Sequence, residues 1–73
     1  MREILKRARQ GKNMTQQAMA EHLNINLRHY KKIESGETLG SIILWDSMED
    51  LFSIHQRKLR EISDNRHDRV KNP

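Results

Sequence analysis

The sequence predicts an all-α fold, a compact bundle of four to five short helices. Apolar residues recur three and four apart, as one face of a helix requires. Capping and breaking residues, among them Thr15, Asn24, Asn26, Gly36 and Ser41, divide the chain into short segments. No stretch of alternating apolar and polar residues competes with this pattern as a strand, and there is no internal repeat or linker.

Ile4, Leu5 and Ala8 make the first apolar stripe and Gly11-Lys12-Asn13 ends it, which predicts a helix over residues 2–11. Thr15 has the side-chain acceptor of an N-cap, and Met19, Ala20 and Leu23 share a face of the helix that follows. That helix stops near Leu23, because Asn24 tolerates the left-handed backbone of a helix C-terminus and Asn26 can cap a new one. A third helix then runs from Leu27 to about Ser35 and closes at Gly36. After a loop over 37–40, Ser41 caps a fourth helix whose apolar positions Ile42, Trp45, Met48 and Phe52, widened by Leu44 and Leu51, mark it as the most buried. Past Ile54, Leu59 and Ile62 stand three apart on a mostly basic fifth helix. One domain therefore spans residues 1–62, and residues 63–73, with almost no apolar content, are expected to form a disordered basic tail.

With 73 residues the chain holds one small core. It has no cysteine, which excludes disulfides and thiolate metal sites and fits a reducing cytoplasm. Neither a signal peptide nor an apolar run of about 20 residues is present, so the chain reads as soluble and cytoplasmic. Residues 1–13 carry five Lys/Arg against one Glu, residues 14–36 three against two, residues 37–52 none against four acids, and residues 53–73 six against three. A net charge of +4 distributed in this way implies a face of positive potential. Nucleic acid is the first partner to consider, ahead of an anionic membrane surface.

Two short helices joined by a three- or four-residue turn form a corner that can rest on a duplex, the first braced on the backbone and the second in the major groove. The start of the first, near Gln16 and Gln17, has the uncommitted N–H groups and dipole end that attract phosphate. On the second, Leu27, Arg28, Lys31 and Lys32 fall on the outward face, while Tyr30 and Ile33 face inward.

From about Leu5 to Leu59 the chain resembles the Cro/repressor-type (XRE-like) helix-turn-helix family of phage and bacterial transcription regulators. The resemblance is carried by the Thr15-Gln16 start, by Ala20 where the two helices cross closely, by Ile25 in the turn, by the ending Ile33-Glu34-Ser35-Gly36, and by the later Met48-Glu49-Asp50-Leu51-Phe52. It implies a lambda-repressor-like DNA-binding domain and a sequence-specific repressor of phage or mobile-element type acting on double-stranded DNA. It further implies that Leu27, Arg28 and Lys32 read bases, that His29 and Lys31 lie at the backbone or groove edge with Gln16 and Gln17, and that Arg9 in the first helix pairs with Glu34 in the third. Arg28 and Lys32 have the donors for guanine O6 and N7, and Leu27 has the apolar surface for a thymine methyl. The chain departs from the family in having Asn24 where the turn commonly has glycine, and Tyr30 where a small β-branched residue is common.

Other chemistries fit less well. Basic residues on a short helix are ordinarily a solvated face, and Met19, Trp45, Met48 and Phe52 at helical spacing are core residues rather than a ligand pocket. His22, His29, His55 and His67 lack metal-ligand spacing and companions, and the serines lack a glycine-rich elbow, so no metal, cofactor, small-molecule ligand or enzymatic activity is expected. The alternative is an antitoxin or anti-regulator that uses the same fold to bind protein, a reading that the acidic segment 37–52 keeps open. A helix of this length reads only a few base pairs, so a homodimer on a palindromic operator is expected, pairing around Ile54, Leu59 and Ile62, the end through which the resembling family often dimerises. The acidic segment would then face away from the DNA backbone.

Overall fold

The computed structural model describes residues 1–62, and the expected tail at 63–73 lies outside the described residues. Five helices follow in order: α1 (Glu3–Gly11), α2 (Gln16–Leu23), α3 (Leu27–Ser35), α4 (Ile42–Phe52) and α5 (Gln56–Leu59), with no strand among the described residues.

The boundaries follow from local chemistry. Thr15 Oγ1 accepts from the Ala18 N–H at 3.0 Å, Asn26 Oδ1 from the His29 N–H at 2.7 Å, and Ser41 Oγ from the Leu44 N–H at 3.4 Å. Each supplies an acceptor to a first-turn donor that has no partner within its helix. The C-termini of α2 and α3 turn through left-handed residues, Asn24 at φ 60° and Gly36 at φ 93°. At the second of these, glycine meets no Cβ penalty. α4 ends the same way on Ser53, at φ 57°, a residue type that gives no such signal in a sequence.

The inward faces of the five helices build one core. Leu5 comes from α1; Met19, Ala20 and Leu23 from α2; Tyr30 and Ile33 from α3; Trp45, Met48 and Phe52 from α4; and Leu59 from α5. Each large apolar side chain so enclosed contributes roughly 1.5–3 kcal/mol. Ala20 is fully enclosed where the turn folds back, and its carbonyl accepts from the Ile25 N–H at 2.9 Å. Any larger side chain at Ala20 would push α2 away from α3.

The structure corrects the expected pattern in three places. The first is α5, which ends at Leu59 instead of continuing to Ile62; its four residues form one turn, too short to sustain a helix by itself. The second is α4, whose buried face starts at Trp45. Ile42, on the expected stripe, is 59% exposed and Ile43 is 70% exposed, so α4 is not enclosed along its whole length. The third concerns the expected pairing surface. Leu59 is wholly inside the core and has no side-chain surface to offer a second copy, Ile54 is partly buried against that core, and only Ile62 remains half exposed. The packing of the single turn of α5 onto the bundle requires Leu59 as its anchor.

Candidate nucleic-acid interface

The α2–turn–α3 corner is built on a turn of three residues, Asn24, Ile25 and Asn26. It places the exposed face of α3 on the outside of the molecule. There Leu27, Arg28, Lys31, Lys32 and Ser35, with Glu37 just past the helix, line one shallow groove. Positions 28, 32 and 35, and positions 27 and 31, lie one or two helical turns apart, which is why they share a face. Arg28, Lys31 and Lys32 are exposed, and none of the three is ion-paired among the described residues. Their charge is directed to solvent, and a polyanion laid along the groove meets three cations within two turns of helix.

The structure therefore brings Leu27, Arg28, Lys31 and Lys32 together along one groove. His29 is half-buried and does not line the groove. Gln17 is exposed at the start of α2, where its Nε2 donates to Glu21 Oε2 at 3.0 Å. Glu37 shows that the acidic segment does not face away as a whole, since its first carboxylate lies at the end of the groove.

Behind the groove is a buried polar cluster centred on Glu34. Arg9 holds its carboxylate in a two-pronged contact, Nε to Oε2 at 2.7 Å and Nη2 to Oε1 at 3.1 Å, and Arg9 Nη1 donates to the Met14 carbonyl at 2.8 Å. Tyr30 Oη donates to Oε2 at 2.7 Å and Gln16 Nε2 to Oε1 at 2.9 Å. Glu34 is 1% exposed and Tyr30 fully enclosed, so α1, α2 and α3 are joined through a single carboxylate.

Burial pushes the Glu34 carboxyl upward, but hydrogen bonds from Arg9, Tyr30 and Gln16 outweigh it, and the group is held below its usual range. The Arg9 guanidinium is raised by its hydrogen bond to Glu34 against the opposing effect of burial. Burial, reinforced by the hydrogen bond to the Glu34 carboxylate, raises the Tyr30 phenol, which stays protonated and donating.

The sequence pattern did not reveal two of these contacts. The Tyr30 hydroxyl reaches Glu34; the i, i+4 spacing of the two residues was the available signal. Gln16, expected at the DNA backbone, spends one amide N–H on Glu34. Its amide carries a second N–H, so the same side chain retains a donor for an anion at the start of α2.

Also missed was Arg2, which is 4% exposed. Its Nε donates to the Arg60 carbonyl at 2.9 Å, and its Nη1 to the carbonyls of Thr38, at 2.9 Å, and Ile33. Its guanidinium stacks 5.3 Å from the centre of the Trp45 ring, and its backbone N–H donates to the Glu34 carbonyl at 2.8 Å. A cation thus closes the C-terminal end of α3, where the helix dipole favours positive charge. Burial, and then the neighbouring Arg60, lower its pKa.

Among the described residues, no group of three or more His, Cys, Asp or Glu side chains is placed to hold a metal ion, and no helix is long and apolar enough to cross a membrane.

The helix-turn-helix family model matches residues 5–52, which contain the corner, the groove and the Glu34 cluster. Comparison with curated proteins and with solved structures returned no match.

Proposed function

Because the chain belongs to the XRE-type helix-turn-helix family of DNA-binding regulators, we propose that it is a sequence-specific repressor that sets α3 in the major groove of double-stranded DNA. The observation that carries this reading is the groove of Leu27, Arg28, Lys31 and Lys32, with cations that form no ion pair among the described residues, mounted on a helix fixed from behind by the Glu34 cluster. Pre-organisation of this kind lets donors meet base edges without first ordering the helix that carries them.

In this reading Arg28 and Lys32 donate to guanine O6 and N7, and Leu27 packs on a thymine methyl. Lys31, Gln17 and His29 serve the DNA backbone, and Gln16 joins them through its uncommitted amide N–H and the first backbone N–H groups of α2. The operator is a palindrome read by two copies, because one short helix spans too few base pairs for a genome-wide search.

Arg28→Ala and Lys32→Ala are each expected to weaken binding to the preferred site by about 1–3 kcal/mol while changing affinity for random duplex much less. Fluorescence anisotropy on a selected site and on random duplex measures both. Equal losses on the two would make these side chains phosphate contacts and remove them from base reading.

A second reading is supported by the exposed Leu39, Ile42 and Ile43 just past α3, and by Glu37 in the groove. An antitoxin or anti-regulator would use such a lip to bind protein. Retention on duplex DNA without any sequence preference would favour it.

A further inference from the structure

One acid stands among the cations of the α3 groove. Glu37 is exposed and lines that groove with Arg28, Lys31, Lys32 and Ser35, yet it forms no ion pair among the described residues. It also lies just past the C-terminal end of α3, where the helix dipole disfavours negative charge. Neither the stability of the fold nor attraction to phosphate accounts for a carboxylate in this place.

The backbone that carries it is fixed. Gly36, at φ 93°, reverses the chain at the end of α3, and a Cβ there would meet Ile62 Cδ1 at 3.1 Å. The Glu37 N–H donates to the Lys32 carbonyl at 2.9 Å, and Ser35 Oγ accepts from it at 3.4 Å. Thr38 is tied on both sides: its N–H donates to the same Lys32 carbonyl at 3.3 Å, and its carbonyl accepts from Arg2 Nη1 at 2.9 Å. Lys32 and Glu37 are therefore joined through one turn of backbone and line the groove as neighbours, a donor beside an acceptor.

We propose that Glu37 is a specificity-determining residue of the reading face, accepting a hydrogen bond from the N4 amino group of a cytosine next to the base that Lys32 contacts. The inference rests on the DNA-binding reading above and adds an acceptor to its set of donors.

The chemistry of the base edges selects cytosine. An ionised carboxylate only accepts. In the major groove guanine presents N7 and O6 and thymine presents O4, all acceptors that repel it; adenine sets its N6 amino group beside the acceptor N7, whereas cytosine presents N4–H₂ alone. Phosphate is excluded by like charge. Among the cations of this groove the carboxylate weakens affinity for every duplex and recovers it only where a base amino group comes within reach. Discrimination then arises as much from the sites it disfavours as from the one it fits.

Relative affinities of wild type, Glu37→Gln, Glu37→Ala and Asp50→Asn test the proposal, on duplexes carrying each of the four base pairs at every position of a site selected from random sequence. Asp50 is exposed on α4 and does not line the groove, so Asp50→Asn makes the same change of charge elsewhere. At one position the wild type should prefer cytosine by about tenfold. Glu37→Ala should lose that preference and bind random duplex more tightly. Glu37→Gln should move it to adenine, whose N6 and N7 suit an amide. Asp50→Asn should keep the wild-type profile, and Lys32→Ala should relax the neighbouring position while sparing the cytosine. Both Glu37 variants should melt at or above the wild-type temperature, since no partner is lost.

The proposal is overturned if Glu37→Gln and Glu37→Ala raise affinity for all duplexes by one common factor and leave every base preference unchanged. The carboxylate would then be a repulsive charge and nothing more, with the DNA-binding reading intact. A wild type that binds duplex without any base preference overturns it equally. A wild type that binds no duplex at any salt removes the DNA-binding reading, and this inference with it.

Discussion

Glu34→Gln and Arg9→Met each destabilise the folded domain by about 3–5 kcal/mol, because each leaves the other partner of a buried ion pair as an uncompensated charge. A solvent-exposed pair would contribute under about 1 kcal/mol. The environment of Glu34 decides between these magnitudes: it is 1% exposed and accepts from Arg9, Tyr30 and Gln16 together. Against a total stability of roughly 5–15 kcal/mol for a small domain, the loss is large enough to move thermal and denaturant midpoints well outside error. Melting within 2 °C of wild type for either variant would contradict the buried pairing, since each kcal/mol is about 4–8 °C at this size.

The same carboxylate gives a pH signature. The folded pKa of Glu34 lies below its ordinary value of 4.5, so the stabilisation it contributes is complete above that pH and is lost as pH falls through the lower folded value. Glu34→Gln removes the titrating group. Its unfolding free energy should fall less steeply than that of the wild type as the solution is acidified below pH 4.5.

Arg2→Met is expected to lower stability by about 2–3 kcal/mol, the range of hydrogen bonds made by a charged donor. The carbonyls of Ile33, Thr38 and Arg60 lose that donor, and Trp45 loses the cation stacked on its face. Methionine retains much of the apolar stem, so the deficit reports the guanidinium. Arg2→Lys should recover little, because a single ammonium cannot reproduce a planar fork that reaches three carbonyls. Hydrogen exchange adds a local test: the amides at the C-terminal end of α3 and in residues 37–39 should lose protection first. Unchanged stability in Arg2→Met would show that water satisfies these carbonyls equally well.

Much of the fold was legible because its signals are local. Thr15, Asn26 and Ser41 cap helices by reaching a donor three residues away, and Asn24 and Gly36 break them by their own backbone preference. Spacing alone identified the outward face of α3 and the inward Tyr30 and Ile33. What could not be read depends on contacts far apart in the chain. Arg2 looks like an ordinary basic residue near a terminus until the fold brings Ile33, Thr38 and Arg60 around it. Leu59 and Ile62 look equivalent at helical spacing, but α5 ends between them, which encloses one and leaves the other half exposed. Ile42 fits the apolar period of α4 as well as Trp45 does, and only the position of the loop before it decides that it points outward. Gln16 illustrates a third kind of failure: its place at the start of α2 was legible, but its hydrogen bond to Glu34 depends on how α2 packs on α3.

The central claim is that a face of α3, whose cations form no ion pair among the described residues, engages the phosphates and bases of a duplex. Its most direct test is the affinity of the wild-type protein for double-stranded DNA as a function of salt. If the cations of α1 and α3 neutralise about four to six phosphates per monomer, log Kobs falls linearly with log salt with a slope of about −4 to −5 per bound monomer. The same protein should prefer its selected site over random duplex at every salt concentration. A slope shallower than about −1 on both duplexes would mean that hardly any phosphate is neutralised and would contradict DNA as the partner.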